Sequence, residues 1–240
     1  MLGETASTNA DAMRYAQLGE PGGLWVVAER QTAGRGRSGR SWTSLPGNFH
    51  ASLMLRDLFP LEHTYQLALV AGVACHDAVR NVLSLPRPAP ISADLQIKWP
   101  NDLLIGRRKL AGILVEGSTQ STGNVAVIGI GLNLAARPEG DDAISLADFG
   151  AAITPSEMLA FLAPTMQEWL GIWNVGRGFA EVRGAWLARG TPRGTELSVH
   201  ATEGVRSGRF AGLSEAGSLV IEFGDGSRGT YTYGDVTLPG

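Results

Sequence analysis

The sequence predicts an α+β fold in which a first domain, residues 1–190, is followed by a small C-terminal β-barrel domain, residues 194–240. Two observations predict this division. Helical and strand periodicities both occur before residue 190, whereas after Gly194 only short β-rich pieces alternate with glycine turns. The chain has 240 residues, which is enough for one domain and a smaller appended one.

Before the proline-rich stretch near residue 88, hydrophobic periodicity predicts two strands between two helices. In chain order they are a helix between Ser7 and Gly19, strands over 24–29 and 48–56, and a helix over 64–85. We expect Thr8 to cap the first helix together with Asp11, and Gly19 to end it. Prolines 86, 88 and 90 are expected to end the second helix, because proline donates no backbone hydrogen bond.

The next region predicts an antiparallel meander and then two helices. The predicted strands cover 95–99, 110–116 and 125–133, with turns at Asn101-Asp102, Gly106 and Gly123-Asn124. The helices cover 156–174 and 179–189, and the first is expected to begin around Thr154-Pro155. The C-terminal β pieces cover 196–201, 209–211, 218–223 and 229–233.

Composition excludes several classes of protein. The formal net charge is −3, so nothing global favours a nucleic-acid partner. The single cysteine, Cys75, cannot form an internal disulfide and is expected to be a buried thiol. The apolar runs are too short for a membrane span, and Glu4 and Asp11 argue against a secretory signal. We therefore expect a cytoplasmic protein without a membrane partner. The histidines at 50, 63, 76 and 200 show no zinc-ligand spacing.

The most informative stretch is the loop of residues 31–42, Q-T-A-G-R-G-R-S-G-R-S-W. Its glycines allow the backbone to fold closely around a ligand. Arg35, Arg37 and Arg40 offer planar sets of donors that suit carboxylates and phosphates. A solvated linker is the alternative, but here charge alternates with glycine and the loop joins two strands. The loop lacks the ending of a Walker A motif, so the residues predict an anion-binding loop of another kind.

This loop closely resembles the biotin-binding loop of biotin protein ligases, and four further motifs match that family in order. They are S-T-N at 7–9, K-W-P-N-D at 98–102, K-L-A-G-I-L-V-E at 109–116 and G-x-G-x-N at 129–133. The resemblance covers essentially the whole chain, including the C-terminal barrel. It implies a mixed β-sheet flanked by helices, similar to class II aminoacyl-tRNA synthetases and lipoate ligases.

The resemblance also implies a reaction. Biotin and ATP would give biotinyl-5'-AMP and pyrophosphate, with Mg²⁺ as cofactor. Biotin would then pass to a lysine of the biotin carboxyl carrier domain of acetyl-CoA carboxylase or a related carboxylase. Because the chain begins almost at S-T-N, we expect no helix-turn-helix domain and no DNA partner. The oligomeric state is left open, and a homodimer is one of the alternatives.

Residue roles are carried over from the matching motifs. The implied biotin site consists of Ser7, Thr8, Asn9, Gln31, Arg35, Gly36, Arg37, Lys109 and Gly112. The implied nucleotide side is lined by Arg40, Trp42, Lys98, Asn101 and Asn133. Lys109 and Arg37 are expected to stabilise charge as the biotin carboxylate attacks the α-phosphate of ATP. Asp102 is expected to bind magnesium or to orient ATP and the incoming lysine.

Each role has a simpler alternative. Asn101-Asp102 is a good turn sequence, Lys109 suits a strand edge, and Trp42 and Trp99 suit a core. Position 50 is histidine where relatives commonly carry tyrosine. At the level of function, the rivals are a lipoate-type acyl-adenylate ligase and a nucleic-acid-binding module. The second requires a basic face on the barrel, yet acidic residues outnumber basic ones after residue 194.

Overall fold

The computed structural model describes residues 1–57, 60, 63–85, 94–120, 123–140, 142–201 and 204–239. Two β-sheets and four α-helices make up the described fold, and the predicted α+β class is confirmed. The prolines expected to end the second helix lie outside the described residues. Among the described helices, none combines the length and apolar character needed to cross a membrane.

The first sheet has seven strands in the order β1-β2-β3-β7-β6-β5-β4. They are β1 (Leu2–Thr5), β2 (Leu24–Gln31), β3 (Phe49–Asp57), β4 (Leu95–Lys98), β5 (Asp102–Ile105), β6 (Arg108–Gln120) and β7 (Gly123–Leu132). Strand β1 is parallel to β2, and every other neighbouring pair is antiparallel. The sheet is therefore mixed, as the resemblance implied, and β4 to β7 form an antiparallel meander with one strand more than the three predicted.

Helices cover both faces of this sheet. They are α1 (Thr8–Gln17), α2 (Gln66–Leu83), α3 (Pro155–Trp173) and α4 (Phe179–Arg189). Alternate residues of a strand point to opposite faces, and Val26 packs with α1 whereas Val27 belongs to the larger core under α2 to α4. Helix α3 begins as predicted, because Thr154 caps it and Glu157 completes a capping box.

The prediction for the start of α1 is wrong in one respect. Ser7, not Thr8, is the N-cap, and its hydroxyl accepts a hydrogen bond from the amide of Ala10. Thr8 lies inside the helix because its hydroxyl is already bound to Gln31, at the end of β2. Asp11 accepts from the hydroxyl of Thr5 at 2.5 Å instead of completing a capping box.

Strand β5 was not predicted. The two turns expected at Asn101-Asp102 and at Gly106 are separated by the four-residue strand Asp102–Ile105, all of it buried. A fully buried strand of four residues between two turn sequences shows no alternation of polar and apolar residues that would predict it. Its presence matters because it places Asp102 in a regular ladder opposite Lys98 and Gly112.

The C-terminal residues form a five-stranded antiparallel sheet in the order β11-β10-β9-β8-β12. The strands are β8 (Glu196–Ala201), β9 (Gly204–Leu213), β10 (Leu219–Glu222), β11 (Arg228–Tyr231) and β12 (Asp235–Thr237). Phe210 packs against Trp186 of α4, with ring centroids 6.1 Å apart. One hydrophobic core thus runs through both sheets, and the division at residues 190–194 stays a prediction.

Candidate active site

A cavity of about 260 Å³ lies between the start of α1, the loop 31–42, the strands β6 and β7, and strand β12. The sequence-predicted residues that line it are Ser7, Thr8, Asn9, Gln31, Arg35, Gly36, Arg37, Arg40, Trp42, Lys98, Asn101, Asp102, Lys109 and Gly112. Asn133 is the exception. The fold therefore brings residues that are more than 100 positions apart in the sequence to one place.

Glycines form the floor of the cavity. Gly112 on β6 lies opposite Gly131 on β7, and the indole of Trp42 lies against both. A methyl group at Gly131 would come within 2.3 Å of that indole. A methyl group at Gly129 would come within 2.2 Å of Oδ1 of Asn9. The G-x-G sequence of β7 thus has a packing reason: only glycine leaves room for Trp42 and Asn9.

One end of the cavity is lined by neutral side chains that are buried or half-buried. Oε1 of Gln31 accepts hydrogen bonds from the backbone amide and the hydroxyl of Thr8, at 2.9 and 3.0 Å. The hydroxyl of Ser52 lies 2.7 Å from that of Thr8 and 2.6 Å from Oδ1 of Asn9. Nδ2 of Asn9 donates to Glu116 at 2.7 Å. These contacts fix the side chains in orientation, and we call this group the neutral end.

The opposite end is charged and is centred on Asp102. Its carboxylate lies 2.6 Å from Nζ of Lys109 and 3.1 Å from Nζ of Lys98. Burial opposes its ionisation, but the two ammonium groups outweigh burial and hold the pKa of Asp102 below its usual range. Asp102 is therefore an anion that fixes two lysines. Lys109 is not an ordinary strand-edge lysine, because it faces the cavity.

The loop 31–42 is held by its arginines. Arg35 pairs with Glu116 at 3.0 Å, and Arg40 pairs with Asp235 at 2.6 Å. Arg37 donates to Asn101 at 3.3 Å and to the carbonyl oxygen of Gly234 at 3.1 Å. Burial lowers the pKa of Arg37, which nevertheless stays a cation at neutral pH. The loop is thus tied to the first sheet and to the C-terminal sheet.

Two tryptophans of the motifs have different roles. Trp42 lies in the cavity wall, and its Nε1 donates to Nδ1 of His50 at 3.3 Å. His50 is fully buried, and burial lowers its pKa. Trp99 is also buried and donates to the carbonyl oxygen of Gly217 at 3.2 Å. Its indole therefore connects the first sheet with the C-terminal sheet.

Asn133 was expected on the nucleotide side, but the structure places it outside the cavity lining. It is buried, and its Nδ2 donates to the carbonyl oxygen of Ile144 at 3.1 Å and, at 3.4 Å, to that of Lys109. Asn48 lies 3.4 Å from it and binds the backbone amides of residues 134–136. The hydrogen bonds of Asn133 hold the backbone that carries Lys109. The contact predicted between Asn133 and the nucleotide therefore has no support from the geometry.

Sequence reasoning missed three groups at the site. Ser52 supports Thr8 and Asn9, Glu116 joins Asn9 to Arg35, and residues 235–237 of β12 form one wall. Ser52 lies in a strand whose polar positions alternate with apolar ones. This pattern indicates that one face of the strand is polar, but it does not indicate a functional site. Asp235 follows a glycine in a β-rich tail, and nothing in that local sequence points to a site.

Comparison with known proteins identifies the family. Residues 4–133 match the sequence model of the Biotin/lipoate A/B protein ligase family. The biotin--[acetyl-CoA-carboxylase] ligase of Paracoccus denitrificans is 39% identical over 92% of each chain. The bifunctional ligase/repressor BirA of Bacillus subtilis is 32% identical over 95% of this chain and 70% of its own length.

A solved structure agrees with these matches. The biotin protein ligase from Aquifex aeolicus in complex with biotin and ATP has 29% sequence identity and a TM-score of 0.80, covering 99% of this chain and 97% of that one. The biotin protein ligase from Leishmania major in complex with biotinyl-5-AMP has 28% identity and a TM-score of 0.60, covering 95% and 96%. The chain therefore belongs to the biotin/lipoate A/B protein ligase family, among the biotin protein ligases.

Proposed function

We propose that this protein is an ATP-dependent biotin ligase that forms biotinyl-5'-AMP and transfers biotin to a lysine of a carrier protein. The observation that carries the proposal is a single cavity with a neutral end and a cationic end. Biotin has a matching polarity, since its ureido ring is neutral and its carboxylate is an anion. The relatives named above bear the same activity in their names.

The neutral end is the proposed seat of the ureido ring. A ureido group needs a few fixed donors and acceptors. Ser7 and Thr8 are buried and Gln31 is half-buried; Thr8 is fixed by its bonds to Gln31, and Ser7 by its bond to the amide of Ala10. The glycine floor leaves a flat surface beside the indole of Trp42 on which an apolar ring and chain can lie. Biotin bound in this way extends its carboxylate toward Lys109.

The cationic end is the proposed place of adenylate formation. A carboxylate oxygen of biotin attacks the α-phosphorus of ATP, the bond to the bridging oxygen breaks, and pyrophosphate leaves. Lys109 and Arg37 stabilise the charge that builds up on the phosphoryl oxygens, and Asp102 fixes Lys109 in place. Such a displacement depends on positioning and fixed charge rather than on covalent catalysis.

In the second step, the acceptor lysine first loses its proton to solvent, and its uncharged amine attacks the carbonyl carbon of the adenylate. AMP leaves with the electron pair of the broken C–O bond, and the nitrogen releases its extra proton to solvent as the amide forms. Asp102 is ionised, because its pKa is held below its usual range, but its charge is already balanced by Lys98 and Lys109. We therefore propose that it acts in this step by holding those two lysines in place beside the adenylate. The acceptor that we propose is the biotin carboxyl carrier domain of acetyl-CoA carboxylase, since a relative carries that enzyme in its name.

The proposed magnesium ion needs a different place from the one predicted. Asp102 is already neutralised by Lys98 and Lys109, so a dication beside it would meet two positive charges. Among the residues that the structure describes, no group of three His, Cys, Asp or Glu side chains forms a metal site. The residues present do not fit a protein-built magnesium site. We propose that Mg²⁺ enters with ATP, bound by its phosphates.

The direct test is pyrophosphate exchange into ATP, measured with biotin, with lipoate and with neither. We expect exchange that requires biotin. Exchange with lipoate alone would overturn the assignment in favour of a lipoate-type ligase. The second measurement is the intact mass of a carboxyl carrier domain after incubation with protein, ATP, magnesium and biotin. We expect one biotinyl group on a carrier with a single acceptor lysine, and none on its lysine-to-arginine variant.

A further inference from the structure

Strand β12 of the C-terminal sheet meets the cations of the active site along one edge. The carbonyl oxygen of Gly234 accepts from Arg37, and that of Val236 accepts from Nζ of Lys98, both at 3.1 Å. Carbonyl groups two residues apart lie on the same edge of a strand, and the other edge of β12 is paired with β8. The second sheet therefore presents an acceptor edge to the cavity.

Asp235 adds a negative charge to that edge. Its carboxylate lies 2.6 Å from Nη2 of Arg40 and 3.5 Å from Nη1 of Arg37. Besides Asp235 and the carbonyl oxygen of Gly234, the guanidinium group of Arg37 also contacts the side chain of Asn101. An arginine carries five N–H donors, so both residues keep donors that these contacts do not use.

The described lining of the cavity contains two aspartates, and each lies between two cations. Asp102 lies between Lys98 and Lys109, and it belongs to the motif at 98–102. Asp235 lies between Arg37 and Arg40 and lies outside the residues that the family model matches. The parallel indicates a similar role: an anion that fixes the directions of two cations.

We infer that Asp235 is a positioning residue of the ligase: it fixes Arg37 and Arg40 of the loop 31–42 so that their remaining donors face the phosphoryl group of ATP and of the adenylate. The inference rests on the proposed function. Asp235 does not touch substrate in this role. It acts through the arginines, and it makes the C-terminal sheet a working part of the active site.

The charge of Asp235 has two opposite effects on anionic ligands. Without it, the cavity would attract ATP at least as strongly, because one negative charge is gone. The two guanidinium groups, however, would repel each other and the loop would lose its anchor on β12. The pairs are partly exposed, Arg40 by 62% and Asp235 by 32%, so the loss is modest. We expect Asp235→Asn to release biotinyl-adenylate about threefold to tenfold faster without a higher KM for ATP.

The experiment compares Asp235→Asn with Asp235→Glu and with Glu215→Gln in the full chain. Glu215 is an exposed residue of the same C-terminal unit, so its variant matches the change in net charge. Adenylate release is followed by rapid filtration, and KM for ATP by pyrophosphate exchange. Hydrogen exchange of the loop amides is measured without any ligand. We expect faster loop exchange and faster release in Asp235→Asn, recovery in Asp235→Glu, and no change in Glu215→Gln.

The outcomes separate the two proposals. Wild-type protein without biotin-dependent exchange overturns the proposed function, whereas the loop measurement in ligand-free protein still tests the contact itself. Loop exchange and adenylate release that stay at wild-type values in Asp235→Asn overturn the inference, as does an equal effect of Glu215→Gln. Should Asp235→Asn fail to fold, Arg40→Gln breaks the same ion pair from the loop. Unchanged loop exchange in that ligand-free variant also overturns it.

Discussion

The side chains at the two ends of the active-site cavity are held in place by different kinds of interaction. At the neutral end, uncharged groups hold one another by hydrogen bonds: buried Thr8 contacts half-buried Gln31 and buried Ser52. At the cationic end, Lys109 is 39% exposed at its side chain and is held by a charged partner, Asp102. In the proposed reaction, the neutral end is complementary to the ureido ring of biotin, which does not change. The cationic end faces the biotin carboxylate and also the charge that builds up on the phosphoryl oxygens as bonds form and break.

This difference predicts how variants divide between kcat and KM. Interactions that are equal in the ground state and the transition state change KM alone, whereas interactions made mainly in the transition state change kcat. Neutral-end variants should therefore weaken biotin binding at nearly constant kcat. Cationic-end variants should slow adenylate formation at nearly constant KM for biotin.

Lys109→Ala should reduce the rate of adenylate formation by about 10²–10³, because losing one preorganised charge at a transition state typically costs about 2.7–4 kcal/mol. KM for biotin should change little. The removal also leaves Asp102 with one cation fewer, so the folded fraction should be checked by circular dichroism. Pre-steady-state adenylate formation is the measurement.

Arg108→Ala is the matched control for that variant, since Arg108 is the exposed neighbour on the same strand and does not line the cavity. It should retain wild-type rates. A folded Lys109→Ala protein with wild-type turnover would show that Lys109 is ordinary surface charge, and the division between the two ends would then lose its main support.

Gly131→Ala should displace Trp42 from the floor, because an ideal methyl group there lies 2.3 Å from the indole. Overpacking of this kind costs about 1–3 kcal/mol, so we expect biotin to bind roughly five- to 150-fold more weakly. Gly3→Ala is the control, since a methyl group at Gly3 meets nothing within 4 Å. Isothermal titration with biotin measures both, and equal affinities would show that the floor tolerates a side chain.

Ser52→Ala should raise KM for biotin by roughly fivefold with kcat unchanged. The substitution leaves Oδ1 of Asn9 without its donor from Ser52. An unsatisfied buried acceptor costs about 1–3 kcal/mol, and a water molecule that binds in place of the hydroxyl reduces this cost. Steady-state kinetics at saturating ATP gives both constants. A fall in kcat with unchanged KM would contradict the proposed neutral role of this end.

Much of this site could be predicted from the sequence because each motif carries its chemistry in adjacent residues. The loop 31–42 and the motifs at 7–9, 98–102 and 109–116 all reach one cavity. Other features depend on tertiary contacts that no local pattern records. Threonine is a common N-cap residue, but the hydroxyl of Thr8 is bound to Gln31, and Ser7 is the N-cap instead.

The fold shows the same limit. Strand β5 is hidden between two turn sequences, and its assignment needs the pairing partners on β4 and β6. Asp235 becomes a site residue only because the C-terminal sheet packs beside the loop, about 200 residues away along the chain. Asn133 ends a matching motif, yet its amide is used by the backbone around it. Motif chemistry is local, whereas the supporting contacts are not.

The smallest predicted effect concerns pH and comes from His50, which supports Trp42. Burial lowers the pKa of His50 from 6.5, and its Nδ1 must be unprotonated to accept from the indole. A histidine with a lowered folded-state pKa contributes its stability above the unfolded value, and that stability is lost as pH falls below about 6.5 and through the folded value. The wild-type free energy of unfolding should therefore fall between pH 7.5 and 5.5.

His50→Asn keeps an acceptor for Trp42 but removes the titrating ring, so the same drop in pH should cost that variant less. Denaturant unfolding at the two pH values, together with the affinity for biotin, measures the difference. His200→Asn is the control because His200 is exposed on the C-terminal sheet and should leave the wild-type slope intact. If His50→Asn and wild type lose the same free energy, protonation of His50 does not limit the stability of the floor. The ion pairs of the cationic end cannot supply a loss in this pH range, because the pKa of Asp102 is lowered and its carboxylate becomes protonated only at much lower pH.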